Sequence, residues 1–391
     1  MLTVNVIYKN PMKYCKICLD PNTRPNTRFN KDGVCFACEN FNKEIKYYDE
    51  IDKQIVLDKL IKKHCLKNKN SFDCIIGVSG GKDSTRQALW VRDKLHLNPL
   101  LVCCTYPPEQ ITKNGADNLS NLINLGFDVL VTGPSPITWK KLLKESFVQG
   151  NYLRAPELAL YSSLPQIAIR YNIELVFWGE SPAISWNDTK TLKNEPYDGN
   201  ALRNSNTLKN CDLNWMNGII DNEYKKIPYR YPTEKEFTEN NIQIIFLSWF
   251  WNNWSLINNA KEAIVNGLVG RKDGASKTGD LYGVSAIDDD WVTLNQMIKY
   301  YKFGFGRVTD YLNYEIRQRK ISREDAIRLI VKYDGKCDEK YIKSFCDYID
   351  ISETEFWNNI SNFVNKKLFT LNNKKNSEKY LPKFKVGVGL K

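Results

Sequence analysis

Apolar residues fall into short unbroken runs over the first two-thirds of the chain and into helical spacing over the last third. The runs are CIIGV (74–78), PLLVCCT (99–105), FDVLVTG (127–133) and IELVFWG (173–179). Segments 83–96, 112–125 and 156–171 between them carry helical spacing. Continuous apolar strands joined by helical crossovers predict a parallel sheet covered on both faces. In such sheets ligands bind beyond the carboxyl ends of the strands. IQIIFLSWFW (242–251) is a candidate fifth strand, and DEIDKQIVLDKLIKK (49–63) reads as an amphipathic helix. From about Asn252 the pattern turns helical. Two helix starts are signed by Ser three residues before an acid, SRED at Ser322 and SETE at Ser352. The expected fold class is α/β, a doubly wound parallel sheet with a Cys-rich N-terminal segment and a mainly helical C-terminal region. The expected boundaries are 1–48, 49–251, 252–365 and 366–391, with Met1 to Pro11 a loose leader.

Composition narrows the class. The chain has 391 residues, 42% of them apolar, enough for a core and for more than one domain. No stretch of about 18 uncharged apolar residues occurs, so no membrane span is expected. The first residues lack a signal-peptide layout, which predicts a cytoplasmic protein. The net charge of +11 invites a nucleic-acid reading, but Ser361 to Lys391 alone holds eight Lys and one Glu. That end reads as a solvated basic tail, and a nucleic-acid partner is not expected. The two histidines, His64 and His96, fall in Lys/Leu helical contexts and are expected at the surface.

Of eleven cysteines, four form C-x2-C, sixteen residues, C-x2-C: Cys15, Cys18, Cys35 and Cys38. Two tight knuckles supply four thiolates to a tetrahedral Zn2+, or to an iron–sulfur cluster. The segment is too small to fold without such a staple. Four protein ligands leave no open position, so the metal would be structural. The adjacent Cys103 and Cys104 point to opposite faces and cannot chelate one ion together.

The run at 74–78 leads into SGGKDS (Ser79 to Ser84) and then into a helix. Gly80 and Gly81 let backbone approach a ligand. Ser79 and Ser84 offer hydroxyls, Lys82 a charge, and the helix start free amides and a favourable dipole. Together they make a phosphate cradle that departs from the G-x-x-x-x-G-K-[ST] pattern. The motif resembles the PP-loop of N-type ATP pyrophosphatases. That resemblance implies cleavage of ATP between the α- and β-phosphates, with AMP passing to a carbonyl or amide oxygen. It implies phosphate contacts from Ser79, Gly80, Gly81, Lys82 and Ser84. Asp83 would orient the loop or reach Mg2+.

YCKICLDPNTRPNTRFNKDGVCFAC, LVFWGES, IQIIFLSWFWNNW, residues 297–335 and ISETEFW resemble N-acetyl sugar amidotransferases of the WbpG/PseA type, over most of Tyr14 to Phe363. The resemblance implies ATP-dependent conversion of an acetamido group on a small-molecule sugar, nucleotide-linked or free, to an acetamidino group. AMP and pyrophosphate would leave. Ammonia would come from a separate glutaminase subunit with a channel-forming partner. The implied setting is surface-polysaccharide or flagellar glycan biosynthesis. Ser181 stands where the family usually has Asn, and Trp186 is unusual there, so the sugar is left open.

Further candidates carry two readings each. Glu180, beyond a strand end, is a candidate to bind sugar or move a proton, or a rim carboxylate in a salt bridge. Gly179 precedes it in the nucleotide site, and Thr105 ends the second strand, where adenine sits in this fold by resemblance. Lys272 and Lys277 in GRKDGASKTG would close over phosphates or belong to a solvated loop. Arg307 would bind phosphate or a neighbouring acid. Asp288, Asp289 and Asp290 would hold Mg2+ or cap a helix. Two rival functions share the motifs: a PP-loop tRNA thiolase, and a non-catalytic zinc- and nucleotide-binding scaffold.

Overall fold

A computed structural model describes residues 11–47, 50–65, 71–193, 195–372 and 378–390. Residues 1–10 of the expected leader Met1–Pro11 and part of the basic end lie outside them. Helices α1 (Phe36–Tyr47) and α2 (Glu50–His64) lead into β1 (Cys74–Gly77). Then follow α3 (Lys82–Asp93), β2 (Pro99–Cys104), α4 (Lys113–Asn124) and β3 (Val129–Thr132). Two helices, α5 (Pro136–Val148) and α6 (Arg154–Tyr171), precede β4 (Leu175–Trp178). The short α7 (Pro182–Trp186), a run of 3-10 turns and α8 (Glu234–Glu239) reach β5 (Gln243–Phe246).

The five strands are parallel and ordered β3-β2-β1-β4-β5. The predicted α/β class holds, including the fifth strand, whose run ends at Phe246. Its remainder is the turn of helix α9 (Leu247–Phe250). Alternate strand residues enter opposite cores, the period of two expected of a sheet covered on both faces. Ile75, Val102, Val176 and Ile244 join α5 and α6 on one face. Ile76, Leu101, Phe177 and Ile245 join α2, α3 and α4 on the other.

After β5 come α10 (Leu256–Val265), α11 (Ala275–Thr278), α12 (Trp291–Phe303), α13 (Arg307–Arg317), α14 (Arg323–Tyr333), α15 (Glu339–Ile349) and α16 (Glu353–Phe363). Both signed starts are real. Ser322 accepts from Asp325 N, and Ser352 and Glu355 form a reciprocal capping box. This helical region shares the core of α5. Phe147 stacks on Phe356 at 5.2 Å and meets Phe345 edge-on at 5.3 Å. Burying each ring contributes about 1.5–3 kcal/mol.

Two expectations fail. The described parts of the basic end are folded, not a solvated tail. They form hairpins β6 (Phe369–Leu371) with β7 (Tyr380–Pro382) and β8 (Phe384–Lys385) with β9 (Gly389–Leu390). Phe369, Tyr380 and Phe384 are buried, and Phe369 packs on Tyr300 and Tyr301. Net charge concealed the apolar residues interleaved with the lysines. His64 is also not a surface residue. The end of α2 packs at the sheet, where His64 is 6% exposed and its Nδ1 lies 3.0 Å from the Glu174 carboxylate. His96 is exposed, as expected.

Candidate active site

The chain leaves β1 and β4 in opposite directions across the sheet, so the switch in strand order falls between them. The loop after β1 is Ser79–Gly81 and the residues after β4 are Gly179 and Glu180. Both groups therefore flank the crevice where sheets of this kind bind ligands.

Gly80 has φ +76°, and a Cβ there would sit 2.7 Å from backbone atoms of Asn118 and Leu119 in α4. Its lack of a side chain thus serves packing against α4 as well as the turn. Gly81 is different: only Ser79 Oγ, at 3.4 Å, would meet a Cβ. It is the N-cap of α3, which no side chain caps. The amides of the first turn are thus left without a side-chain acceptor, and the helix dipole adds to their pull on an anion. Ser84 Oγ donates to the Gly81 carbonyl at 3.1 Å.

Lys82 is 6% exposed and its ammonium lies 2.5 Å from Asp83 Oδ2. Burial disfavours that charge, but Asp83, Tyr311 and Glu180 outweigh it and push Lys82 above the usual lysine range. The other oxygen of Asp83 accepts from Asn259 Nδ2 on α10 at 2.7 Å. Glu180 is pushed up to about 7, first by burial and then by the Asp83 charge, with Lys82 opposing. A carboxyl that titrates near neutrality is suited to accepting and returning a proton.

Lys82, Asp83 and Glu180 share a narrow pocket of about 40 Å³ with Trp186 of α7, Trp254, and Tyr311 of α13. Tyr314 and Glu315 line it too. Of this facing wall only Trp186 stands out in the sequence; Trp254, Tyr311, Tyr314 and Glu315 were missed, although a signal was present. Arg307, Tyr311 and Glu315 follow one another at i, i+4 spacing and so occupy one face of a helix.

The remaining candidates lie in several places. Gly179 admits its neighbours: a Cβ would come within 2.9 Å of Gln87 Nε2 and 3.3 Å of Trp254. Thr105 lies along the same strand-end edge, its amide donating to the Thr132 carbonyl at 2.8 Å. Lys272 is exposed, and Lys277 pairs with Asp273 and Asp338 at 3.8 and 3.9 Å. Asp289 accepts from Trp291 N at 2.8 Å, a cap at the start of α12, and from Gln110 Nε2 at 2.9 Å. Asp290 pairs with Arg271. Asp288 instead lies beside the loop: burial pushes its carboxyl up to about 6, against the opposing influence of Arg271, the Ser79 hydroxyl and Arg307.

The four predicted cysteines converge. Their sulfurs lie within 4.8 Å of one another and all are buried. Tetrahedral zinc with Zn–S of about 2.3 Å requires sulfurs about 3.8 Å apart; Cys18 Sγ and Cys35 Sγ are 3.7 Å apart. Amides of Ile17 and Cys35 donate to Cys15 Sγ at 3.4 and 3.3 Å, which favours the thiolate. The site fits a structural zinc. It also supports the pocket. Leu19 N donates to Asn313 of α13 at 2.7 Å. Asp20 accepts from Asn187, just past α7, at 2.9 Å. Arg317 donates to the Ser185 carbonyl of α7 at 2.9 Å. Among the described residues no helix is long and apolar enough to cross a membrane.

Residues 280–382 match the model of a family described as LPS biosynthesis protein WbpG-like, C-terminal domain. The matched stretch runs from before α12 to β7 and includes Asp288 and the α13 wall. No curated protein matches the chain.

Proposed function

We propose that this chain, of the WbpG type by its C-terminal domain, is an ATP-dependent sugar amidotransferase of surface-polysaccharide biosynthesis. The carrying observation is the pocket in which Lys82, Asp83 and Glu180 face the aromatic wall of Trp186 and Tyr311. One side has the cation and free helix amides that a departing pyrophosphate needs. The other has flat rings and carboxylates of the kind that hold a sugar ring and its hydroxyls.

In this reading the amides of the first turn of α3, with Lys82, hold the β- and γ-phosphates. Asp83, fixed from both sides by Lys82 and Asn259, orients the loop. Mg2+, when bound, supplies further charge neutralisation on the phosphates. The acetamide oxygen attacks the α-phosphorus and pyrophosphate leaves. Ammonia then adds to the imidate carbon, the carbon–oxygen bond to AMP breaks, and Glu180 takes the proton that the nitrogen sheds. The sugar keeps the new nitrogen as an acetamidino group. ATP is needed because an amide carbonyl is a poor electrophile. The ammonia source in this reading is a separate glutaminase with a channel-forming partner.

The test is to supply purified protein with Mg-ATP, an ammonium salt and a panel of UDP- or CMP-linked acetamido sugars. Expected are AMP, pyrophosphate, and a product in which NH replaces the acetamide oxygen. Lys82→Ala is expected to abolish pyrophosphate release in protein that still folds, with melting lowered by the loss of its pair with Asp83. Turnover that ignores sugars and responds to tRNA with a sulfur donor would replace this reading by the thiolase. ATP binding without turnover on any acceptor would replace it by the scaffold.

A further inference from the structure

Arg307 opens α13 inside the WbpG-like domain and is 4% exposed. Its Nη1 is shielded from solvent and donates to no acceptor among the described residues. A guanidinium cannot shed its proton to escape this, so a buried donor on a permanent cation stands without an acceptor. That donor remains available to an anionic ligand.

The surroundings indicate which anion. Arg307 lies one helical turn before Tyr311, which lines the pocket with Lys82, so the two side chains share one face of α13. The charges of Lys82 and Arg307 both act on Tyr311. On its other side the charge of Arg307 acts on Asp288, whose carboxyl the Ser79 hydroxyl also influences. The segment carrying Asp288 is itself pinned beside the loop. Thr112 N donates to the Asp288 carbonyl at 3.0 Å, and a Cβ on Gly115 would come within 2.6 Å of Asp288 Cα. Both contacts lie at the start of α4, the helix on which Gly80 packs.

The backbone at Arg307 is locked. Asp334 accepts from Gly306 N at 2.7 Å, Val308 N at 3.0 Å and the Thr309 hydroxyl at 2.6 Å. The start of α13 is thus already satisfied by a carboxylate. What remains available to an anion there is the side chain of Arg307.

We propose that Arg307 is a diphosphate-binding residue of the Ser79–Ser84 loop, holding the β- and γ-phosphates of ATP and the pyrophosphate they become. The proposal rests on the ATP-dependent reading above. It gives the C-terminal domain a second role: besides facing the acceptor, it completes the phosphate site. A planar fork suits two phosphate oxygens at once, where Lys82 offers a point charge. Nucleotide cleavage would then require both parts of the chain to be docked.

The test uses the full-length, zinc-loaded protein and calorimetric titration with magnesium pyrophosphate, AMP and UDP. Arg307→Gln is expected to weaken pyrophosphate binding by roughly 10–100-fold, the scale of a lost charge-assisted hydrogen bond. AMP binding, zinc content and melting are expected to stay as in wild type. Pyrophosphate affinity equal to wild type in a folded Arg307→Gln protein overturns the inference. So does selective loss of UDP binding, because the diphosphate held would then be the acceptor's. Should Arg307→Gln not fold, Arg307→Lys decides: it keeps the charge and loses the fork, and unchanged pyrophosphate affinity overturns the inference. A wild-type protein that binds neither ATP nor pyrophosphate removes the functional reading first and this inference with it.

Discussion

Two buried charge clusters meet on α13, and they are built on opposite plans. One ties the four-cysteine segment to the helical region. Arg24 bonds Asp20 and Asp310, Lys299 bonds Asp310, and the ring of Phe305 lies under both cations at 4.1 and 4.6 Å. Burial works against ionised Asp310, but Lys299 and Arg24 prevail and hold its carboxyl below the usual range. The other cluster is the pocket, which Asp310 borders together with Tyr311. There Glu180 is pushed up to about 7. Gln87 Oε1 and Arg307 Nη1 lack protein partners among the described residues. Charges in the first cluster close on one another and fix the fold. Charges in the second are left partly open, which is the condition of a site that awaits a ligand.

The most disruptive way to break this contrast is at the metal. Asp20 and Arg24 belong to the short segment between the two cysteine pairs, which has no core of its own beyond the cysteines and their neighbours. Cys15→Ser is expected to lose bound zinc, measured by metal analysis, and with it soluble folded protein. Full zinc content in the variant would show that the knuckles do not hold the ion. A milder break is Asp310→Ala, which leaves half-buried Lys299 and buried Arg24 without this carboxylate. Removing one partner of a buried pair costs about 3–5 kcal/mol. Since the carboxyl of Asp310 is held low, its contribution is present at neutral pH and fades as acid protonates it. Denaturant unfolding should therefore show the largest gap between variant and wild type near neutrality, narrowing in acid. A gap that widened in acid would contradict the closed-pair description.

The same contrast explains which features are legible in the sequence. The loop Ser79–Ser84 and the cysteine pairs are contiguous, and their chemistry is written in local spacing. The five strands are equally legible, because strands of a covered parallel sheet read as continuous apolar runs, and even the part-buried edge strand β3 keeps that pattern. The facing wall is assembled from Trp186, Trp254 and Tyr311, which only tertiary packing brings together. His64 misleads for a related reason: its helical context is polar, and its burial beside Glu174 comes from far along the chain. The basic end misleads because a charge count ignores the alternation of Phe369, Tyr380 and Phe384 with lysines. Arg307 stands out only as one basic residue in a Gly-Phe run; its missing acceptor is a property of the folded state.

The smallest expected effect sharpens the comparison most, because its sign is opposite to that of Asp310. Glu180 has a folded-state pKa of about 7 against an ordinary 4.5. A raised carboxyl favours folding while it holds its proton, so its contribution is complete below the unfolded value. It is lost as pH rises from about 4.5 through about 7. At about 1.4 kcal/mol per pKa unit the full shift corresponds to roughly 3 kcal/mol, which partial solvent access reduces to on the order of 1–2 kcal/mol. Glu180→Gln carries no such titration. As pH rises from about 5 to about 8 it should therefore gain stability relative to wild type, whereas Asp310→Ala loses ground to wild type as pH rises over the acid end of the scale. Unfolding free energies of the three proteins across that range decide the matter. A Glu180→Gln difference that does not change with pH would mean the pocket carboxyl is not held near neutrality. Glu180 would then be an ordinary ionised rim carboxylate, and the proton assigned to it in ammonia transfer would need another acceptor.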